Sequence, residues 1–301
     1  MLKAFLLIVV GLAGDPEHGE LFTKWGTALA ESSAKVGVTA DRLVVLSDTR
    51  ATRDEINSAL ATFAQTAAPE DVVYVVLFGH GTFDGSTARF NLPGPDMTPA
   101  DFNTALRRLP TRNIVFVNTA SASAPFVETL SGQGRTVITA TRTGAQQFAT
   151  LFGGYFVKAF STAAADADKN GRLSMLEAFE YARAEVARAY KEQGLLPTEQ
   201  ALLDDNGDKT GSQAASVTSA DGKLAASMSL GSVADAAPLP EDPALRALYL
   251  ARRDLERRVE SLRLLKDSMP PAQYTSELER LVTDLALKTR EIRSIEGDRK
   301  P

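Results

Sequence analysis

Two short stretches carry residues that could act as a base and a nucleophile. His80 stands between two glycines directly after an apolar run at residues 72–78, and Ser121 lies in a small-residue turn after a second apolar run at 114–118. Parallel strands end at one edge of a sheet, so the two side chains would meet there if these strands are neighbours. The N–H of Gly81 could then stabilise an oxyanion. The pattern indicates either base-assisted nucleophilic chemistry or a histidine that merely ends a loop.

The elements that must position these residues alternate along the first two-thirds of the chain. Apolar runs predict strands at residues 5–10, 42–46, 72–78, 114–118 and 136–140. Helical periodicity predicts helices at residues 20–35, 53–64, 99–106 and 145–160. Such alternation is typical of βαβ units, and it predicts an α/β fold of three layers with a mostly parallel central sheet.

Composition excludes several classes of function. The 301 residues carry a formal net charge of -5, whereas a nucleic-acid-binding face would be basic. The chain has no cysteine, which excludes disulfides, thiolate zinc sites and a cysteine nucleophile. Its two histidines are too few for a multi-histidine metal site. No stretch reaches the ~18 consecutive apolar residues of a membrane-spanning helix.

The N-terminus allows two interpretations. Residues 1–10 hold one positive charge and a short apolar run, as a signal peptide would, but no convincing small-residue cleavage site follows. We favour the first strand of the sheet, because a glycine-containing turn and an amphipathic segment come next.

Residues 166–177 match the pattern of a calcium-binding loop. Calcium requires oxygen ligands at alternate loop positions, a glycine for the sharp turn and a closing bidentate carboxylate. Asp166, Asp168, Asn170, the carbonyl of Arg172 and Glu177 would supply these ligands. The alternative is a capped loop that keeps the pattern without the ion. Calcium is the one cofactor that the sequence predicts.

A second acidic turn spans residues 204–208. It lacks a closing carboxylate, because position twelve is Ala215, and we expect a structural turn that could still donate ligands elsewhere. Residues 209–240 are rich in alanine, serine and glycine and predict a flexible linker.

The last segment, residues 241–297, has the periodicity of two amphipathic helices. Pro270 and Pro271 separate the two apolar stripes and predict a helical hairpin. The hairpin would either be a solvated element that docks on its own domain or a coiled-coil, partner-binding module.

Together these motifs resemble the legumain and caspase-like (clan CD) cysteine peptidases, in particular the bacterial legumain-like branch. The resemblance covers about residues 4–208 and rests on the order and spacing of short motifs. It implies a caspase-like fold for residues 1–208, with His80 as the base and Gly81 as an oxyanion-hole donor. Ser121 falls where the family has its cysteine. Thr139 and Thr141 fall at the strand end that lines the substrate.

The chain departs from the family at several positions. Thr119 replaces an acidic residue, Ala124 replaces a glycine, and residues 11–19 contain no counterpart of the specificity arginine. A serine nucleophile needs a base that a third group orients. Asp84 is the nearest candidate for that group.

We therefore favour a catalytically inactive pseudopeptidase that binds a peptide or protein. The alternative is an active hydrolase in which Ser121 attacks and His80 is the base. A third hypothesis is an α/β domain whose ligand is unrelated to peptides. Calcium at a single loop suits a location outside the cytosol, so we expect an exported bacterial protein.

Overall fold

The computed structural model describes residues 3–35, 38–231, 242–264, 266 and 269–297. The chain divides into two compact units, residues 1–236 and residues 237–301.

The first unit is built on a six-stranded sheet with the order β2-β1-β3-β6-β7-β9. In chain order, the strands are β1 (Ala4–Val10), β2 (Leu43–Leu46), β3 (Val72–Phe78), β4 (Gly81–Phe83), β5 (Ala88–Phe90), β6 (Ile114–Asn118), β7 (Arg135–Thr139), β8 (Leu173–Ser174), β9 (Leu202–Asp204) and β10 (Ser229–Gly231). The first five strands of the sheet are parallel, and the edge strand β9 is antiparallel to β7. The predicted α/β class with a mostly parallel central sheet is confirmed.

Helices cover both faces of this sheet. In chain order, the helices of the first unit are α1 (Pro16–Lys35), α2 (Arg53–Thr66), α3 (Pro99–Leu106), α4 (Pro125–Leu130), α5 (Phe152–Ala159), α6 (Met175–Glu192) and α7 (Lys223–Ser227). Phe63, Phe102 and Phe126 pack α2, α3 and α4 on one face. On the other face, α1 lies against β1 and contacts α5, which packs against α6.

Complete burial explains why the central strands were predictable from sequence. Every residue of β3 and of β6 is buried, as expected for strands that helices cover on both sides. Leu77 pairs with Asn118, and Asn118 pairs with Thr139, so β3, β6 and β7 end at nearly the same level. That alignment brings three strand-end turns to one edge of the sheet.

Two predicted elements differ from the structure. The helix predicted over residues 145–160 is wrong in its first half, because α5 begins at Phe152 and residues 141–151 form a loop. The predicted linker is wrong for residues 209–231. These residues include α7, and Met228 and Leu230 are buried next to the pairing of β10 with β8. Residues 232–240 lie outside the described residues.

The second unit contains α8 (Pro243–Leu264) and α9 (Pro271–Gly297). These helices correspond to the two helices predicted for residues 241–297. They pack through an apolar cluster formed by Leu255, Val259, Leu262 and Leu281. In the described parts of the chain, we find no helix with the length and apolar character needed to traverse a bilayer.

Candidate functional site

The candidate site lies at the carboxyl edge of β1, β3, β6 and β7. Two glycines let the turns after β1 and β3 approach each other there. A Cβ on Gly11 would lie 2.5 Å from the carbonyl oxygen of Asn91 and 2.8 Å from the ring of Phe90. A Cβ on Gly79 would lie 3.0 Å from that same ring. A Cβ on Gly79 would also lie 3.4 Å from the Cα of Gly11, so the two turns pack directly against each other at these glycines.

Ser121 is held by the backbone of Gly81. Its side chain is buried, at 2% exposure. The Ser121 hydroxyl donates to the carbonyl oxygen of Gly81 at 3.0 Å and accepts from the N–H of Gly81 at 3.1 Å. The fold brings Ser121 and Gly81 together, but the hydroxyl occupies the N–H that an oxyanion would need.

The turn that carries Ser121 has a constrained backbone. Ala122 adopts a left-handed conformation with φ of 53°. Its N–H donates to the carbonyl oxygen of Gln146 at 2.7 Å. At the start of the turn, Thr119 donates through both its N–H and its hydroxyl to the carbonyl oxygen of Leu77 on β3. The conformation of Ala122 is unusual for a residue with a side chain, and these hydrogen bonds hold it in place.

Thr139 and Thr141 lie behind this turn, and both are fully buried. The hydroxyl of Thr141 lies 3.2 Å from that of Ser123 and accepts from the N–H of Ala124 at 3.0 Å. The hydroxyl of Thr139 donates to the carbonyl oxygen of Thr141 at 3.1 Å. In this arrangement both threonines brace the turn, and their contact with a substrate stays a prediction.

His80 faces the first βα turn. Its ring lies edge to face with those of His18 and Phe22, at centroid distances of 5.0 and 5.2 Å. Burial lowers the pKa of His80, and the neighbouring charge of His18 lowers that pKa further. The backbone of Ala13 and the carboxylate of Asp15 act in the opposite direction. The environment therefore favours a neutral imidazole.

His18 is a site residue that the sequence prediction missed. Its Nδ1 lies 2.7 Å from Oδ2 of Asp15, and its backbone N–H donates to Oδ1 of the same carboxylate. The signal that could have found His18 is its place just after β1, because that strand is the neighbour of the strand that delivers His80.

Asp84 does not orient the base. Its carboxylate accepts hydrogen bonds from the N–H groups of Ser86 and Thr87 and pairs with Arg89 at 2.8 Å. These contacts hold the pKa of Asp84 well below its ordinary value. The suggested orienting role is wrong, because this carboxylate is committed to the β4–β5 turn.

Within the described residues, no hydrogen bond joins His80 to Ser121. The hydroxyl is satisfied by Gly81, and the imidazole packs against the aromatic residues of α1. The fold therefore brings Gly81 and Ser121 into contact but does not pair the serine with His80, its predicted base.

A cavity of about 1050 Å³ lies beside the first βα turn. Leu12 and Ala13 form part of its lining, and Ala13 also neighbours His80. Its charged lining residues are Glu20, Lys24, Glu31 and Asp48. No arginine contributes to this lining, and its acidic groups outnumber its lysine.

The predicted calcium loop gathers its acidic side chains. Ligand oxygens of Asp166, Asp168 and Glu177 lie within 4.8 Å of one another. Asp166 accepts the N–H groups of Asn170 and Gly171 at 3.1 and 2.8 Å, which folds the loop around its first carboxylate. Glu177 both accepts the N–H of Ala167 and caps the start of α6. This oxygen-rich arrangement fits a calcium ion.

A second group of acidic residues lies at the end of β9. Asp204 is fully buried, and Asp221 is 3% exposed. Burial, followed by the charges of Asp204, Asp205 and Asp208, raises the pKa of Asp221 to about 6. The sequence prediction separated Asp221 from residues 204–208, but the fold brings them together.

No protein-family model and no curated protein matches this chain. Similar solved structures include protein GSU0716 from Geobacter sulfurreducens, at 14% identity and a TM-score of 0.47, with 67% of this chain and 92% of that chain covered. Another is a secreted C11 cysteine protease from Bacteroides thetaiotaomicron in complex with an irreversible peptide inhibitor. It has 17% identity and a TM-score of 0.36, and the match covers 62% of this chain and 60% of that one. At these values the fold assignment rests on the strand order of the chain itself.

Proposed function

We propose that this chain is a peptidase-like domain of the legumain-like type that binds a peptide or protein and does not hydrolyse it. The observation that carries the proposal is the pair of hydrogen bonds between Ser121 and Gly81. The hydroxyl of Ser121 already accepts the N–H of Gly81. In a hydrolase that N–H would have to stabilise the oxyanion formed when Ser121 attacks.

Two costs follow for hydrolysis. Loss of one oxyanion-hole donor typically costs ~10²–10³ in turnover. Loss of general-base assistance costs a further ~10²–10⁴, and a serine hydroxyl depends on such a base more than a cysteine does. Among the described residues, the hydroxyl of Ser121 forms no hydrogen bond with His80 or with an acidic side chain. We therefore interpret serine at the family's cysteine position as a loss of hydrolytic activity.

Exposed apolar side chains support binding at the same edge. Phe148 is 71% exposed in the loop after β7, and Leu12 is 47% exposed in the turn after β1. The loop of Phe148 is joined to the Ser121 turn by the bond from the Ala122 N–H to the Gln146 carbonyl. Apolar side chains beside a recessed site are typical of surfaces that take up a partner.

Catalysis can be tested with the full chain, a set of fluorogenic peptides and a fluorophosphonate probe. We expect neither peptide turnover nor labelling of Ser121. Turnover or labelling that disappears in Ser121→Ala would overturn the proposal and establish the alternative, a serine hydrolase with His80 as its base.

Binding can be tested by selecting from a phage-displayed library of random linear peptides against the immobilised full chain. We expect selected peptides to lose affinity for Phe148→Ser. The matched control is Leu196→Ser, which alters a leucine that is 87% exposed outside the candidate site. Equal loss in both variants, or no enrichment of peptides, would contradict binding at this edge.

The loop from Asp166 to Glu177 is proposed to bind one calcium ion. Its support is the gathering of three acidic ligand atoms within 4.8 Å. Calorimetry should detect calcium binding that Asp168→Asn weakens, while Asp54→Asn, on an exposed face of α2, leaves it unchanged. Absence of heat at millimolar calcium would contradict this site.

A further inference from the structure

The turn after β9 has the backbone conformation of the calcium loop. Counting from Asp166 and from Asp204, the fourth and sixth residues of both loops have positive φ. The values are 57° at Lys169 and 79° at Gly171 in the first loop. They are 82° at Gly207 and 70° at Lys209 in the second. The first loop has lysine at its fourth position and glycine at its sixth, whereas the second loop has the reverse. This exchange makes the two loops difficult to align by sequence.

The hydrogen bonds also correspond. In the first loop, the N–H of the fifth residue, Asn170, donates to the side chain of the third, Asp168, at 3.0 Å. The N–H of the seventh residue, Arg172, donates to the side chain of Asn170 at 2.7 Å. The second loop repeats both bonds at 2.7 Å. They run from Asp208 to Asn206 and from Thr210 to Asp208.

Asp221 takes the place of the missing closing carboxylate. In the first loop, Glu177 accepts the N–H of the second loop residue, Ala167, at 3.0 Å. In the second loop, Asp221 accepts the N–H of the second loop residue, Asp205, at 3.2 Å. The position-twelve residue, Ala215, is therefore not the counterpart of Glu177. The closing group comes from further along the chain.

An unsatisfied buried oxygen points to a ligand. Asp204 is fully buried, and its Oδ1 accepts the N–H of Gly207 at 3.1 Å, which turns the carboxylate toward the loop. Its Oδ2 has no hydrogen-bond partner. A buried carboxylate oxygen without a partner is strongly unfavourable unless a cation or a proton compensates it.

The part of the chain that the structure describes supplies no ion pair for this charge. Among the described residues, no lysine, arginine or histidine forms an ion pair with Asp204, Asp205, Asp208 or Asp221. The oxygens of Asp205 are committed to the N–H groups of Gly222 and Ala225. Asp204, Asp208 and Asp221 remain as acidic ligands for an ion.

We infer that the second loop is a separate calcium site, with Asp204, Asp208 and Asp221 as its acidic ligands. The amide oxygen of Asn206 and the carbonyl of Thr210 occupy the loop positions that complete such a site. In the described residues, the first loop alone brings three acidic ligand atoms within 4.8 Å. The second loop therefore depends more on these neutral oxygens and is the weaker site.

The test is a calorimetric titration of the chelator-treated full chain with calcium chloride. The expected stoichiometry is two for the wild type and one for Asp208→Asn, in which an exposed ligand loses its charge. Asp221→Asn should also lose this site, because calcium should bind the second loop of this variant ~10-fold or more weakly. Even changes outside the ligand shell of a metal weaken binding by this much. Asp168→Asn removes the first site and keeps the second, and Asp54→Asn keeps both.

These variants separate the two sites. One ion that Asp168→Asn abolishes and Asp208→Asn leaves intact would overturn the second site and keep the first. One ion with the opposite sensitivity would keep the second site and contradict the first. Thermal unfolding in chelator adds a check on folding. There Asp221→Asn should raise Tm, because it removes a buried uncompensated charge, and calcium should stabilise this variant less than the wild type. A lower Tm in chelator together with an unchanged calcium response would overturn the inference.

Discussion

The imidazole rings of His18 and His80 lie edge to face, with their centroids 5.0 Å apart. They come from the segments that follow two adjacent strands, β1 and β3. The chain has no other histidine, so only two imidazole rings contribute to its proton NMR spectrum.

We expect His80 to titrate below its ordinary pKa of 6.5, because burial and then the charge of His18 disfavour the imidazolium. His18→Gln should raise the pKa of His80, because it removes the charge of His18. It also removes the ionic partner of the Asp15 carboxylate, which favours the imidazolium of His80. Proton NMR of the imidazole signals measures both values. A wild-type His80 midpoint at or above 6.5 would contradict this environment.

The lowered pKa of His80 has a defined effect on stability. A group whose pKa is lowered in the folded chain contributes stability above its unfolded pKa, which is about 6.5 for histidine. That contribution is lost as the pH falls through the folded value. The free energy of unfolding should therefore fall more steeply on acidification in the wild type than in His80→Gln.

Glu199 offers a second pH-dependent contact. It is 2% exposed, and its two oxygens accept the N–H groups of Leu151 and Phe152 at the start of α5. Burial raises its pKa despite these bonds, so the folded chain favours the protonated form. Glu199 therefore stabilises the folded chain at pH values below its unfolded pKa. This stabilisation is lost as the pH rises through its pKa in the folded chain.

Glu199→Gln should destabilise the first unit by ~1–3 kcal/mol, because an amide cannot accept both N–H groups with oxygen. The difference from the wild type should shrink as the pH rises above about 4.5, the ordinary value for glutamate. Denaturant unfolding across this pH range measures it. A difference that grows with pH would contradict the direction given for Glu199.

Gly81 cannot carry a side chain in this fold. A Cβ there would lie 2.3 Å from the carbonyl oxygen of Ser121 and 3.0 Å from that of Arg89. We expect Gly81→Ala to cost ~1–3 kcal/mol, the range for overpacking. Gly19→Ala is the matched control, because its Cβ would meet only Ala13, at 3.7 Å, inside α1. It should stabilise the chain by ~0.5–1 kcal/mol. Equal unfolding midpoints would refute the close approach.

In the second unit, Leu281 packs within the α8–α9 cluster and is 2% exposed. Leu281→Ala should cost ~2–5 kcal/mol of local stability, the range for deleting a buried leucine side chain. Leu287→Ala, at a leucine that is 54% exposed on the same helix, should be nearly neutral. Helical circular dichroism in denaturant measures both, and similar midpoints would show that the cluster does not stabilise the hairpin.

The central elements were predictable because each had one dominant local signal. The limits of β3 and β6 follow from apolar runs, and the start of α3 follows from the capping box of Thr98 and Asp101. The β4–β5 hairpin was missed because each strand has three residues and the pairing is fixed by their approach to the Ser121 turn. Short strands of this kind have little periodicity to detect.

The contacts of the candidate site residues were only partly predictable. The two apolar runs predicted that the turns carrying His80 and Ser121 share one edge of the sheet, and β3 and β6 are neighbours in the structure. The ring of His80 turned instead toward α1, through contacts with Phe22 and His18 that join distant parts of the sequence. Asp221 was likewise invisible, because only the folding of residues 209–231 brings it to the acidic turn.

The packing of Trp25 gives the chain an internal optical reporter. This single tryptophan lies in the first unit, where a Cβ on Gly153 or Gly154 would come within 2.8 Å of its indole ring. The second unit contains two long helices and no such fluorophore. Tryptophan emission, excited selectively over that of tyrosine, therefore follows the first unit alone, while the far-ultraviolet dichroism includes both units. One unfolding experiment with two detectors can establish whether the units melt together or in sequence.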